Sequence, residues 1–317
     1  MKKEEFNFYS PTALKSYNLD KTMRYQLNML DSLDVFTRKH CENVANLTCR
    51  ICEYLRCSQK FTIYATTCAY LHDIGKLFIP PAILQKPGTL TNEEYEIMKT
   101  HTTIGYNICM KDLKLRPYSA GALYHHEGLD GSGYPNGVKK KKIPYVAQII
   151  RVADEYDAIV SKRQYKTHIS ISETLKILIK DSNPTENSSY IRPIALDHLS
   201  KDFKVGKIDK RALKALFKVV IDDTQYEISC IYEYVDYLQQ QIKRLEEIDK
   251  YNTKREKSKD EKKKNYYAEG MKCLFAQGET FENFKNVLEE YKTAYITRKD
   301  IIDKLFNEIK IIKKLRV

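Results

Sequence analysis

The chain has 317 residues, 42% of them apolar, which supplies a sizeable core and excludes a disordered or fibrous protein. Lys and Arg outnumber Asp and Glu by 54 to 42, a net charge of +12 that suits an anionic partner such as a nucleotide, a nucleic acid or a membrane surface, and equally a solvated lysine-rich exterior. No stretch approaches 18 uninterrupted apolar residues, so a membrane-spanning helix is not expected.

Taken in chain order, residues 1–24 read as an N-terminal extension; Met1 to Ser10 carries charge and aromatics but no apolar core of signal-peptide length. Val44, Leu47, Ile51 and Leu55 then recur at helical spacing, with Cys49, Cys52 and Cys57 in the same segment. No second cysteine cluster at zinc-site spacing accompanies them, so the 8 cysteines read as structural thiols of a reducing cytoplasm. His72 and Asp73 end a predicted helix just before Gly75. A Thr91 to Glu94 capping box opens another helix, with Ile97, Ile104 and Ile108 along one face. Glycine and proline concentrate in Gly75 to Gly88 and Gly128 to Pro144, which read as loops where a site is built.

Beyond residue 205 the character changes. Residues 206–249 read as C-terminal helices in which Ile228, Ile231, Val235, Leu238, Ile242 and Leu245 follow heptad spacing. That seam, Ile228 to Leu245, predicts a modest homodimer, with packing inside one chain as the alternative. Residues 250–265 are almost wholly polar or charged and read as a solvated linker or a helix extension, and 266–317 as a small helical appendage. No run alternates with period two, so the fold class is all-α.

Single histidines are weak signals, since a lone one on an apolar face is more often a hydrogen-bonded core residue. Here five of 7 histidines stand on inward faces or against the loops: His40, His72, His101, His125 and His126. Asp73, Glu127, Asp130 and Asp154 lie beside them or one helical turn from an inward apolar residue. Imidazole and carboxylate together suit iron, manganese or zinc, and an aspartate between two ions bridges them through its two oxygens. Burying so many ionisable groups without a metal would leave them poorly satisfied.

The chain resembles the HD-GYP family over roughly residues 25–205, through His72-Asp73-Ile74-Gly75-Lys76, Lys86-Pro87-Gly88 with Leu90-Thr91, His125-His126-Glu127, Asp130-Gly131, Gly133-Tyr134-Pro135, Ala153-Asp154 and Tyr156-Asp157-Ala158. The resemblance implies an HD-domain helical bundle with a metal centre ligated by His40, His72, Asp73, His101, His125, His126 and Asp154. It implies that the Gly133-Tyr134-Pro135 loop shapes the site, that Lys76 reaches the scissile phosphate, and that Arg163 and Lys166 hold the outer phosphate. Lys166 is a small departure, since some members carry arginine there. Some members bind a third metal through a carboxylate one turn before the first ligand histidine. Here that position is Phe36, and Asp34 lies at a different angle of the helix, so two divalent ions, iron or manganese, are expected; the alternative is that Phe36 packs in the core and Glu127 or a water completes a third site.

The expected reaction is hydrolysis of cyclic di-GMP to linear pGpG, and onward to GMP in a second cleavage, by metal-activated hydroxide attack on phosphorus with Lys76 offsetting charge. A cyclic-dinucleotide receptor with little turnover, or an HD hydrolase of another nucleotide, are the competing readings; the full ligand set and Lys76 favour an enzyme. Lys139 to Lys142 either gather a dianionic ligand or form a solvated turn. No compact basic and aromatic platform marks a nucleic-acid site.

Overall fold

A computed structural model describes residues 34–161, 170–184, 190–191 and 203–317. The chain divides into two compact units, Met1–Val220 with Lys314–Val317, and Ile221–Lys313.

In the first unit, helix α1 (Val35–Tyr54) opens on Asp34, whose carboxylate accepts the Phe36 and Thr37 amides and so satisfies two orphan donors of the first turn. Helix α2 (Gln59–Leu71) starts at a Ser58 cap and ends at His72. A 3₁₀ turn (Ile74–Phe78) and the short α3 (Pro81–Leu84) lead to α4 (Asn92–Lys99), which carries the Thr91–Glu94 capping box that the sequence predicts. Then come α5 (His101–Lys111), α6 (Ser119–Tyr124), α7 (Tyr145–Ser161) and α8 (Ile171–Ser182).

Helix α1 packs on α2 and α7, and α5 packs on α6 and on the 3₁₀ turn after His72. The core between them is aliphatic and thiol-rich: Cys41, Val44, Ala45, Cys49 and Ile51 of α1, Ala65, Cys68 and Leu71 of α2, and Ile149, Ile150 and Ala153 of α7 are fully buried. Burying these side chains fixes how α1, α2 and α7 meet. Two two-residue strands, β1 (Tyr190–Ile191) and β2 (Phe203–Lys204), pair antiparallel and leave the all-α class unchanged.

The structure differs from the sequence reading at several points. The helix predicted through Ile97 to Ile108 is two helices: Thr100 ends α4 with its amide and its hydroxyl both on the Ile97 carbonyl, and Ile97 is exposed rather than inward. Cys57 lies past the end of α1, in the turn before Ser58. Residues 250–257 continue helix α9 (Lys210–Lys257), and only 258–260 separate it from α10 (Glu261–Leu274), so most of the charged stretch is a solvated helix rather than a linker.

The second unit holds the rest of α9 with α10 and α11 (Phe284–Lys314). Ile228 and Val235 of α9 bury against Ile302 and Ile309 of α11, and Leu245 and Ile248 against Met271, Phe284 and Leu288. The heptad side chains considered for a homodimer are thus covered within one chain. A bidentate ion pair, Arg244 Nη1 and Nη2 to the two Glu279 oxygens at 2.5 Å each, ties α9 to the turn after α10. No helix among the described residues is long and apolar enough to cross a membrane.

Candidate metal centre

Seven side chains that the sequence singles out meet at one point of the first unit. His40 comes from α1, His72 and Asp73 from the end of α2, His101 from the start of α5, His125 and His126 from the end of α6, and Asp154 from α7. Gly75 makes the meeting possible: a Cβ there would overlap the His101 carbonyl oxygen, so only glycine lets the Asp73 turn lie directly on the start of α5.

The ring orientations are set from behind. His72 Nδ1 donates to the Ala69 carbonyl at 2.6 Å, His101 Nδ1 to the Met98 carbonyl at 2.7 Å, and His125 Nδ1 to the Gly121 and Ala122 carbonyls at 2.9 and 3.0 Å. A carbonyl only accepts, so in each neutral ring Nδ1 carries the proton and Nε2 presents a lone pair to the interior. His40 Nδ1 meets Asp157 Oδ2 at 2.6 Å, and Asn43 Nδ2 holds the other Asp157 oxygen at 3.0 Å.

The two aspartates divide the donors. Asp73 Oδ2 lies 3.3 Å from His72 Nε2 and 3.7 Å from His40 Nε2, while its Oδ1 lies 3.3 Å from His101 Nε2 and 3.8 Å from His125 Nε2. Asp154 Oδ1 faces His40 Nε2 at 3.0 Å and His72 Nε2 at 3.9 Å, and its Oδ2 faces His126 Nδ1 at 3.8 Å. Donor atoms of His40, His72 and Asp73 lie within 4.8 Å of one another, as do those of His101, His125 and His126. Each aspartate therefore offers one oxygen to each of two groups.

This arrangement fits cations. His72 Nε2 and Asp73 Oδ1 are buried with no hydrogen-bond partner among the described residues. His101 Nε2 and His125 Nε2, both lone pairs by the tautomer argument, face each other at 3.2 Å, which is repulsive unless a positive charge sits beside them. A proton does not serve. Burial pushes His101 down, and pushes His125 well down with help from its histidine neighbours. His126 falls to about 3, again chiefly through burial, despite the opposing pull of Asp154. Burial also raises the Asp73 carboxyl, but His72 and Lys76 outweigh it and hold it well below the usual carboxylate range; the hydrogen bond from His40 does the same for Asp154. Neutral imidazoles and ionised carboxylates are the donor set of a first-row divalent metal. His40 differs: burial lowers it, yet Asp154 and Asp157 together raise it to about 10, so a metal at its Nε2 displaces a proton.

Around this cluster, Lys76 Nζ lies 2.5 Å from Asp73 Oδ2, and Asp73 outweighs burial to keep it an ammonium. Tyr134 of the Gly133-Tyr134-Pro135 loop stacks on the His126 ring, centroids 4.6 Å apart. Glu127, considered above as a supplementary ligand, instead accepts loop amides from Asn136 and Val138 with its two oxygens. Asp130 closes the turn at Ser132, and Lys140 lies 3.9 Å from Asp209. Phe36 is exposed in the first turn of α1. Arg163 and Lys166 lie outside the described residues. Sequence reasoning missed the supporting roles of Asp157, Asn43 and Arg151, whose guanidinium holds the His126 carbonyl at 2.7 Å. The available signal was spacing: Asn43 and Asp157 each follow a predicted ligand by three residues on one helix face.

Residues 24–185 match the family model described as HD domain, just over half of the chain. A cyclic di-GMP phosphodiesterase of Thermotoga maritima is 46% identical over 153 residues, 47% of this chain and 42% of that protein. The cyclic di-GMP phosphodiesterase PdeB of Borreliella burgdorferi is 32% identical over 213 residues, 67% of this chain and 54% of that one. A 3'3'-cGAMP-specific phosphodiesterase 3 of Vibrio cholerae is 36% identical over 150 residues, 47% of this chain and 33% of that one. The chain thus spans between a third and about half the length of these relatives. The domain match and the meeting of the His-Asp and Gly-Tyr-Pro motifs around one donor cluster place this chain in the HD-domain family, in its HD-GYP branch.

Proposed function

We propose that the chain is a metal-dependent phosphodiesterase that opens cyclic di-GMP to linear pGpG, with His40, His72, Asp73, His101, His125, His126 and Asp154 as metal ligands. The observation that carries the reading is the division of Asp73 and Asp154, each with one oxygen toward each of two nitrogen groups, which is the donor plan of a two-ion site. Two divalent ions, iron or manganese, supply a nucleophile at neutral pH and draw charge from the phosphodiester oxygens.

The protein's own groups do the rest. Lys76, pinned to Asp73 and charged, offsets charge growing on a non-bridging oxygen. Tyr134 walls the site over His126, with Gly133 and Pro135 setting its place in the loop. Arg163 and Lys166 are assigned the outer phosphate by resemblance. The 8 free cysteines suit a reducing cytoplasm. A second substrate, 3'3'-cGAMP, enters because a relative of that stated specificity is 36% identical over 150 residues.

The test is to load the full chain with manganese or ferrous iron, incubate it separately with cyclic di-GMP and 3'3'-cGAMP, and separate the products. Linear pGpG as the faster-forming product is expected. Turnover of 3'3'-cGAMP alone would replace the substrate, and turnover of neither would leave the receptor reading.

A further inference from the structure

His72, His101 and His125 are each oriented by a backbone carbonyl behind Nδ1, and His40 by Asp157. For the His126 ring no such hydrogen bond is found among the described residues; Asp154 Oδ2, at 3.8 Å, is beyond reach. Three rings touch it: His125, tilted by 44° at 4.1 Å, His101, edge-on at 5.2 Å, and Tyr134, which alone of the three lies outside the donor cluster and stacks at 4.6 Å with 28° between the planes. Tyr134 is held in turn by its loop. Its amide donates to the His126 carbonyl at 3.2 Å, and a Cβ at Gly133 would overlap that same oxygen.

The far side of the loop hangs on one buried carboxylate. Glu127 is 1% exposed, and its Oε1 accepts the Asn136 amide at 2.7 Å while its Oε2 accepts the Val138 amide at 3.0 Å. No cation shares this carboxylate among the described bonds, so both oxygens serve the loop. A buried carboxylate whose partners are two backbone amides is a rigid clamp, because losing either bond leaves charge unsatisfied.

We propose that Glu127 is a positioning residue for the metal centre: by clamping the loop at Asn136 and Val138 it presses the Tyr134 ring onto His126 and so sets the ring of a ligand that no hydrogen bond orients. Tyr134 and Glu127 do together for His126 what a carbonyl does for its neighbours. The inference rests on the metal-centre reading and on no substrate.

The test is Co²⁺ titration of the chelator-treated full chain, read by the visible d–d band, with far-UV circular dichroism as the fold check. Removing an outer partner of a metal ligand costs about 10- to 100-fold in metal affinity. Glu127→Ala and Tyr134→Ala should each weaken Co²⁺ binding within that range. Tyr134→Phe, which keeps the stacked ring, should bind like wild type. Because both act through one contact, the double variant Glu127→Ala/Tyr134→Ala should be no weaker than the worse single variant.

Wild-type affinity in Tyr134→Ala overturns the proposal, and that variant decides even if Glu127→Ala loses helicity. Fully additive losses in the double variant overturn it too, since they make Glu127 act by another route. A wild-type chain that takes up no Co²⁺ overturns the metal reading itself. Metal uptake without hydrolysis of a cyclic dinucleotide overturns only the proposed reaction.

Discussion

Replacing Gly75 by alanine places a methyl group on the His101 carbonyl oxygen, 2.6 Å from the Gly105 nitrogen and 2.8 Å from the His101 carbonyl carbon. All three neighbours are backbone, so none yields by a side-chain rotation, and the 3₁₀ turn must move away from α5. Overpacking of this kind costs about 1–3 kcal/mol, and rigid backbone neighbours put this case near about 3 kcal/mol. For a unit of this size about 3 kcal/mol lowers Tm by roughly 6–12 °C. The turn carries Asp73 and Lys76, so the same displacement moves Asp73 against the donor atoms of His101 and His125. Gly105→Ala is the matched control: its Cβ would meet the Ala122 methyl at 3.1 Å, the Gly75 nitrogen at 3.2 Å and Ile74 Cγ2 at 3.4 Å, none of them under 3 Å. It also gains about 1 kcal/mol of helix propensity, so its net change stays within about 1 kcal/mol. Thermal unfolding of the chelator-treated chains, followed by metal titration, gives the comparison. Equal Tm values for the two variants, with metal binding intact in Gly75→Ala, would refute the close approach as the device that assembles the site.

Three further outcomes follow from named contacts. Lys76→Ala should slow single-turnover hydrolysis by roughly 10²- to 10³-fold while metal content is unchanged; unaltered kinetics would reduce Lys76 to a structural partner of Asp73. Glu279→Ala should cost the second unit about 2–3 kcal/mol in chemical denaturation, the scale for losing a charged hydrogen-bonded pair. The Arg244 hydrogen bonds hold the Glu279 carboxyl below its ordinary 4.5. Its contribution is therefore complete above pH 4.5 and drains away as pH falls through the lower folded value, a slope that Glu279→Gln should lack. Metal analysis of anaerobically purified protein should give two ions per chain, with a third gained in Phe36→Glu, one turn before His40; three in the wild type would refute the inference from Phe36.

The residues of the donor cluster were legible because their chemistry is unusual in sequence: most of the histidines fall on inward faces or beside glycine-rich loops, and a His-Asp pair precedes Gly75. What holds them was not. The carbonyls of Ala69, Met98 and Gly121 leave no mark in the residue types, since any residue supplies a carbonyl. Glu127 read as a spare ligand because its sequence neighbours are histidines, whereas its actual partners are two amides nine and eleven residues away. The break at Thr100 was hidden by the isoleucine period across it, since a threonine side chain competing for the Ile97 carbonyl does not disturb the hydrophobic pattern. In the second unit the heptad was visible, but its partner was not. Ile302 and Ile309, more than sixty residues on, cover the same stripe that a second chain would.

The central proposal is that Asp73, with one oxygen toward each of two nitrogen groups, would hold two metal ions together and that a site so built would hydrolyse a phosphodiester. The direct measurement is cyclic di-GMP turnover by manganese-loaded wild type beside Asp73→Ala at matched concentration, with bound metal counted in both. The account predicts linear pGpG from the wild type, and from Asp73→Ala no product, fewer bound ions and a retained helical spectrum. Near-normal turnover by Asp73→Ala would contradict it.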